Sequence, residues 1–399
     1  MAFPATVRRL LACSFGLSVA RALVSPLLVL TLGRQLALGP RDIGLLLGGV
    51  LLLATLGSLY AGYLVDRLAP RRLLLAALLL MAAGFALLPF CRQPLAAAGA
   101  LLLTESALVL FGITLKALLA ALLPPAERSR AFSLRYTLAN VGYATGPLLA
   151  SLVAATQAAL AFWLAAALVL ACLPLLRGVP AGKLAAASAA PAPDFAATLQ
   201  LLRRDRTLIL FTIGSLLACM VQARFSDYLA LYLLQTLSDA EVLRWMSVLI
   251  TTNSLTVVLL QYPLGKLLRP HTLLRWIMAS SLLLAAGLAG CALSDSLWAW
   301  AGWMVVFTLG EILLVPAEYL YIDAIAPEHL RGSYYGAQNL AQAGGAISPA
   351  LAGIVLLRWP PDALLVVMMA LSLLGAGFVW LAHRQRQPAG AATACQPAA

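Results

Sequence analysis

Twelve hydrophobic runs, each near the length of a membrane-spanning helix, leave this chain one kind of fold. They fall at about 10–32, 43–65, 72–90, 95–122, 131–155 and 159–176, and again at about 207–235, 243–264, 273–293, 297–323, 332–357 and 363–382. A helix needs roughly 20 apolar residues to cross the hydrocarbon core. Lipid offers no hydrogen bonds, so each crossing segment must satisfy its own backbone, as a helix does. With 62% hydrophobic and 11% charged residues, no soluble core can absorb the sequence. The fold class is therefore an all-α polytopic membrane protein. Residues 178–206, Ala/Pro-rich and then basic, divide the runs six and six. The expected organisation is a six-helix bundle over 1–177, a linker over 178–206, a second bundle over 207–383 and a tail over 384–399.

A net charge of +12 can mean nucleic acid, but its distribution excludes that. With the N-terminus threaded into the cytoplasm, nineteen Lys and Arg counted as outside the membrane, Arg135 among them, fall on the inner side and five on the outer. That is a positive-inside bias. It places both termini and the linker in the cytoplasm and makes the lipid bilayer the partner of the basic excess. Arg8-Arg9 and Leu10-Leu11-Ala12-Cys13 are decoys for export signals, because the apolar stretch follows the cysteine; the first run is read as an uncleaved helix. The six cysteines have no CxxC spacing and the three histidines fall in cytoplasmic segments, so no metal site is expected. No GK[ST] loop is present to bind ATP, so ATP is not the energy source and no cofactor is expected.

A weak internal repeat runs at an offset of about 202. Pro125 and Glu127 to Arg130 recur as Pro327 and Glu328 to Arg331, and Gly146-Pro147 is echoed by Ser348-Pro349. Arg21 and Arg224 differ by 203, Lys116 and Glu318 by 202, so pseudo-two-fold symmetry is expected to set each pair across a cavity.

Gly142 and Gly146, four apart in an apolar run, let a neighbouring helix approach closely, and Pro147 bends the helix there. This Gly-x-x-x-Gly-Pro, following Gly62-Tyr63-Leu64-Val65-Asp66-Arg67, resembles the major facilitator superfamily and, within it, the drug:proton antiporter branch. Tyr136-Thr137-Leu138, Phe307-Thr308-Leu309-Gly310-Glu311-Ile312, Pro316, Glu318-Tyr319, Ile322-Asp323 and Ala337-Gln338 extend the likeness to bacterial dipeptide and multidrug exporters. The resemblance implies twelve transmembrane helices in two pseudo-symmetric halves, with runs one, four, seven and ten lining a central cavity. It also implies a proton gradient as the energy source, and that the loop after run two keeps a conformational latch at Asp66 and Arg67. Ala69 and Pro70 depart from the pattern, so its tight turn is rebuilt.

Charges inside membrane spans are costly and mark function by default. Eight lie on those four runs: Arg21, Glu105, Lys116, Arg224, Asp227, Glu311, Glu318 and Asp323. Glu311, about fourteen residues into run ten, is near mid-membrane and is the proton-carrier candidate, with Arg21 as its opposing charge. Apolar surroundings raise a carboxyl's pKa and a nearby guanidinium lowers it, so a glutamate between the two can titrate in the range coupling needs. A permanent Glu311–Arg21 ion pair is the other reading. Glu318 and Lys116 form an inner gate or a structural bridge. Glu105 offers an anionic contact to a cationic substrate; Arg224 binds a substrate carboxylate or is neutralised by Asp227, three residues on. Gln338 and Gln342 share a face of run eleven and hydrogen-bond a ligand or join helices.

Together these readings describe a proton-coupled exporter of small amphipathic molecules, acting as a monomer in the bacterial inner membrane by alternating access. A proton symporter importing a small solute is the alternative. A polytopic membrane enzyme would need a nucleophile or metal constellation that no His or Cys is placed to supply.

Overall fold

The protein is described by a computed structural model covering residues 3–154, 158–183 and 194–385. Residues 184–193 of the expected linker, 386–399 of the expected tail and the Pro147 side chain lie outside the described residues. The first half contains α1 (Ala5–Leu36), α2 (Pro40–Arg67), α3 (Pro70–Leu87), α4 (Pro94–Leu122), α5 (Pro125–Ala154) and α6 (Ala158–Ala171). A short helix, α7 (Phe195–Arg204), follows. The second half contains α8 (Arg206–Gln222), α9 (Phe225–Leu233), α10 (Asp239–Gly265), α11 (Leu273–Ala292), α12 (Leu297–Ile325), α13 (Arg331–Asn339), α14 (Ala343–Arg358) and α15 (Asp362–Gln385).

Local chemistry sets where these helices begin. Pro40, Pro70 and Pro94 stand in first turns, where an absent N–H costs nothing. Asp194 and Asp205 cap α7 and α8 by accepting the Ala197 and Leu208 amides at 2.7 and 3.0 Å. Ser238 and Glu241 form a reciprocal capping box on α10. Gly62 to Arg67, expected as a loop, are helical, and the turn that follows is only Leu68 and Ala69 because Pro70 restarts the chain as α3.

Ten helical stretches are long and apolar enough to cross a membrane, and α7 with α8, bent by 80°, makes an eleventh. The 30-residue α5 is the twelfth long passage; Glu127, Arg128, Arg130 and Arg135 in its first three turns lower its hydropathy. Arg135, counted from the sequence as outside the membrane, lies inside this helical span, and charge is not confined to runs one, four, seven and ten. Two runs are interrupted. Run seven breaks between α8 and α9 at Ala223 and Arg224, and run eleven passes through a 3-10 turn at Leu340–Gln342. Leu45, Leu53, Leu259, Leu282 and Leu357 point outward, the inverse of a soluble surface and the face a bilayer solvates. Trp300, in the first turn of α12, is buried and donates to the Ser294 carbonyl at 2.8 Å.

The two halves repeat one packing scheme. In the first, α1 packs on α5 and α6, α3 on α4 and α6, and α2 on α4. In the second, α8 packs on α14 and α15, α11 on α12 and α15, and α10 on α12. The halves meet along two seams that are themselves repeat-related, α2 against α13 and α10 against α5. Both seams lie at the end of the molecule where α2 and α10 finish and α5 and α13 begin. That end also carries Arg67, Arg71, Arg72, Arg128, Arg269 and Arg331, and is called the basic end below.

Candidate functional site

The path between the halves is built in layers, starting at the basic end. On the first seam Gly62 faces α13 so closely that a Cβ there would lie 3.0 Å from the Ser333 Cα. Ser58 donates its hydroxyl to the Gly336 carbonyl at 2.8 Å. One turn on, Asp66 accepts the Gly332 amide at 2.6 Å, the Ser333 amide at 2.8 Å and the Ser333 hydroxyl at 2.6 Å. A carboxylate in that position meets amides that a helix start leaves without partners, at the positive end of its dipole. Arg67 lies with its guanidinium 4.5 Å from the centre of the Tyr63 ring on its own helix. The second seam is tighter in side chains: Gly265 abuts Ser133, and the Ser129 hydroxyl donates to the Gly265 carbonyl. Beside it Asp323 on α12 bridges the halves, paired with Arg128 of α5 and, at 3.4 Å, with Arg331 of α13.

A second layer holds Lys116. Its ammonium donates to Gln338 Oε1 at 3.3 Å and lies 4.8 and 5.1 Å from the Tyr319 and Tyr335 ring centres, which shelter it by cation–π attraction. Glu318 is buried beside Ser215 on α8, and among the described residues no ion pair joins it to Lys116. The expected Lys116–Glu318 bridge is therefore replaced. α13 packs against α4 and presents Gln338 where the carboxylate was anticipated. Both residues also lie in the closed part of the interface rather than across an open cavity. Gln342 accepts from the Cys219 thiol at 3.9 Å. The 3-10 turn at Leu340–Gln342 thus gives Gln338 and Gln342 different partners.

At mid-membrane stands Glu311, the fifteenth residue of the 29-residue α12 and hence about 21 Å from either end. It accepts from the Tyr136 hydroxyl of α5 and from Asn253 Nδ2 of α10 at 2.8 Å, and Asn253 also donates to Thr308 at 3.0 Å. Arg21 is not its partner. Arg21 pairs at 3.0 Å with Glu105 on α4, and each lies about 25 Å from the basic end of its helix, in the same half and at the same depth. Their side chains are 33% and 20% exposed. Arg224 and Asp227, at the break between α8 and α9, pair with each other at 3.2 Å and are 50% and 38% exposed. Charges exposed at this depth face a water-accessible space rather than lipid. With the basic end shut by two seams, that space opens at the opposite end.

Gly142 and Gly146 lie against α1, where a Cβ on Gly146 would come 2.6 Å from the Ala22 carbonyl carbon and one on Gly142 would come 2.7 Å from the Ser18 Cβ. They fix the approach of the helix that carries Tyr136 to the helix that carries Arg21.

Residues 10–349 match the family model described as Major Facilitator Superfamily. The chain belongs to this superfamily. It is 31% identical over 387 residues, 97% of each chain, to the MFS-type transporter YdeE of Escherichia coli (strain K12). It is 27% identical over 327 residues, 81% of this chain and 80% of the other, to the multidrug resistance protein MdtH of Edwardsiella ictaluri. Among solved structures, a bacterial homologue of the iron transporter ferroportin in an outward-facing state aligns with a TM-score of 0.77 at 16% identity, covering 95% of this chain and all of that one. The transporter FucP in an outward conformation aligns with a TM-score of 0.75 at 16% identity, covering 96% of this chain and all of that one. The protein is a multi-pass membrane transporter with the twelve-helix, two-half fold, and not an enzyme.

Several residues at the heart of this transporter went unassigned in the sequence. Tyr136 and Asn253 hold Glu311, yet as uncharged residues they do not stand out from a hydropathy profile. Arg128, Asp323 and Arg331 form the charge cluster between the halves; the repeated Glu-to-Arg segments at Glu127 and Glu328 were the signal that could have found it.

Proposed function

We propose that this transporter is a proton-coupled exporter of small amphipathic molecules, working as a monomer in the bacterial inner membrane with its basic end in the cytoplasm. The observation that carries the reading is Glu311: a buried mid-membrane carboxyl that forms no ion pair among the described residues and is held by two neutral donors, one from each half. A group so placed can take up a proton without orphaning a counter-charge. Its bond to Tyr136 crosses between the halves. Charge-assisted bonds are roughly twice as strong as neutral ones, so protonation weakens a contact that the opening motion must break. Proton arrival and the change of access are tied at one residue, with the proton gradient as the only energy source. Asp66 serves as the latch of the closed basic end, and Arg21–Glu105 with Arg224–Asp227 give the cavity both signs of charge for substrate. The bacterial relatives, MdtH among them, support the inner membrane and the export direction; the nineteen-to-five charge bias supports the orientation.

Inverted membrane vesicles test the reading. With an acidic lumen, an exporter accumulates substrate inside, whereas a symporter drives preloaded substrate out. A resistance screen in a pump-deficient host supplies the substrate. Glu311→Gln, neutral and nearly isosteric, is expected to lose gradient-driven transport while retaining substrate binding. Gradient-driven transport by Glu311→Gln at the wild-type rate refutes the coupling role.

A further inference from the structure

The short helix α7 turns away from run seven, which α8 and α9 cover between them, and its placement points to a separate role. It is bent by 80° from α8; because α8 spans the bilayer, α7 lies along the membrane surface at the basic end. Its inner face is anchored. Phe195 packs edge-on against Tyr60 and Tyr63 of α2, with ring centres 5.3 Å apart in both cases, and Thr198 and Leu202 are buried. The helix touches both α2 and α13, so it straps the first seam from outside.

At its C-terminal corner the sequence reads Arg203-Arg204-Asp205-Arg206, and the three arginines are exposed. The acid is turned inward: Asp205 caps α8 through the Leu208 amide at 3.0 Å and accepts the Tyr334 hydroxyl of α13 at 2.5 Å. The corner therefore shows three guanidinium groups with its own carboxylate engaged elsewhere, next to an exposed Leu201. We infer that this corner docks the headgroups of anionic phospholipids, and that the docked lipid holds α7 across the α2–α13 seam and stabilises the state closed at the basic end. An interfacial helix with an apolar inner face and one basic end suits a charged lipid surface, and guanidinium recognises phosphate in a planar, two-point fashion. Exposed apolar surface at headgroup depth favours lipid over a soluble phosphate.

The test uses the full chain in nanodiscs of phosphatidylethanolamine with and without phosphatidylglycerol, reading the thermal unfolding midpoint and the phosphatidylglycerol retained on purification. Phosphatidylglycerol is expected to raise the midpoint of the wild type. Each arginine near an anionic surface corresponds to about a five-fold gain in lipid association, so Arg203→Gln, Arg204→Gln and Arg206→Gln should each reduce retention about five-fold. The triple glutamine variant should lose the midpoint shift, and the triple lysine variant should keep it. Equal phosphatidylglycerol shifts in the wild type and the glutamine variants overturn the inference. So does an equal shift produced by inorganic phosphate in phosphatidylethanolamine alone. Should the triple variant not fold, the three single variants decide by retention.

Discussion

Removing the Asp66 carboxylate is the sharpest way to ask what holds the basic end shut. Its two oxygens accept three bonds from α13, at 2.6, 2.8 and 2.6 Å, and all three cross from one half to the other. A hydrogen bond to a charged group contributes about 1.5–3 kcal/mol net. Two of the three donors belong to Ser333 and are lost together, and water replaces part of the set once the seam opens. Two independent bonds at the lower figure leave about 3 kcal/mol, which is roughly a hundred-fold in the equilibrium between closed and open. Asp66→Ala should therefore move the population strongly toward the form open at the basic end. Asp66→Asn, with one acceptor oxygen left, should move it about half as far in free energy. Spin labels on exposed Leu68 and Glu328, in a background with native cysteines replaced, would report the change as a second, longer distance. A distance distribution in Asp66→Ala identical to that of the wild type refutes the reasoning and leaves the glycine contacts and Asp323 as the closing elements.

Gly146→Leu should abolish transport while leaving membrane insertion intact, since a side chain there drives into Ala22 and Leu23 of α1; transport at the wild-type rate shows that the close approach is dispensable. Arg128→Gln and Asp323→Asn should be strongly non-additive in thermal stability, with a coupling of about 1–3 kcal/mol, because Asp323→Asn alone strands the mostly buried Arg128 and Arg128→Gln alone leaves Asp323 only its longer pair with Arg331; simple additivity removes the pair from the closing mechanism. Reporter fusions after Lys183 and in the Leu68–Ala69 turn should read cytoplasmic, and fusions near Gly39 periplasmic; a periplasmic Lys183 inverts the orientation.

Much of the fold was legible because a bilayer imposes length and polarity on every crossing segment, and both can be counted along a chain. Depth was legible too: Glu311 lies at the middle of α12 by residue count alone. Partnership was not. Arg21 and Glu311 share a depth, but the choice between Glu105 and Glu311 as partner depends on which half α1 packs within, and spacing along one helix carries no such information. Lys116 found Gln338 rather than Glu318 for a similar reason, since the state closed at the basic end wedges α13 against α4. The breaks at Arg224 and Leu340 escaped notice because hydropathy averages side chains and is blind to the backbone hydrogen-bond path. Arg135 was counted among the charges outside the membrane although it falls within run five and lies ten residues inside α5.

The glycine seam between α2 and α13 has a kinetic corollary. Gly62, Gly332 and Gly336 bring backbone against backbone, so at these points of closest approach no long side chain can stretch or re-rotate as the halves part. Short-range attraction of this sort forfeits a quarter to a half of its strength over a gap of about 0.5–1 Å, so a half-open seam keeps little of the energy of the closed one. The interface is brittle rather than elastic. Observed one molecule at a time, the basic end should snap between two levels with exponentially distributed dwell times, with no drift through intermediate widths.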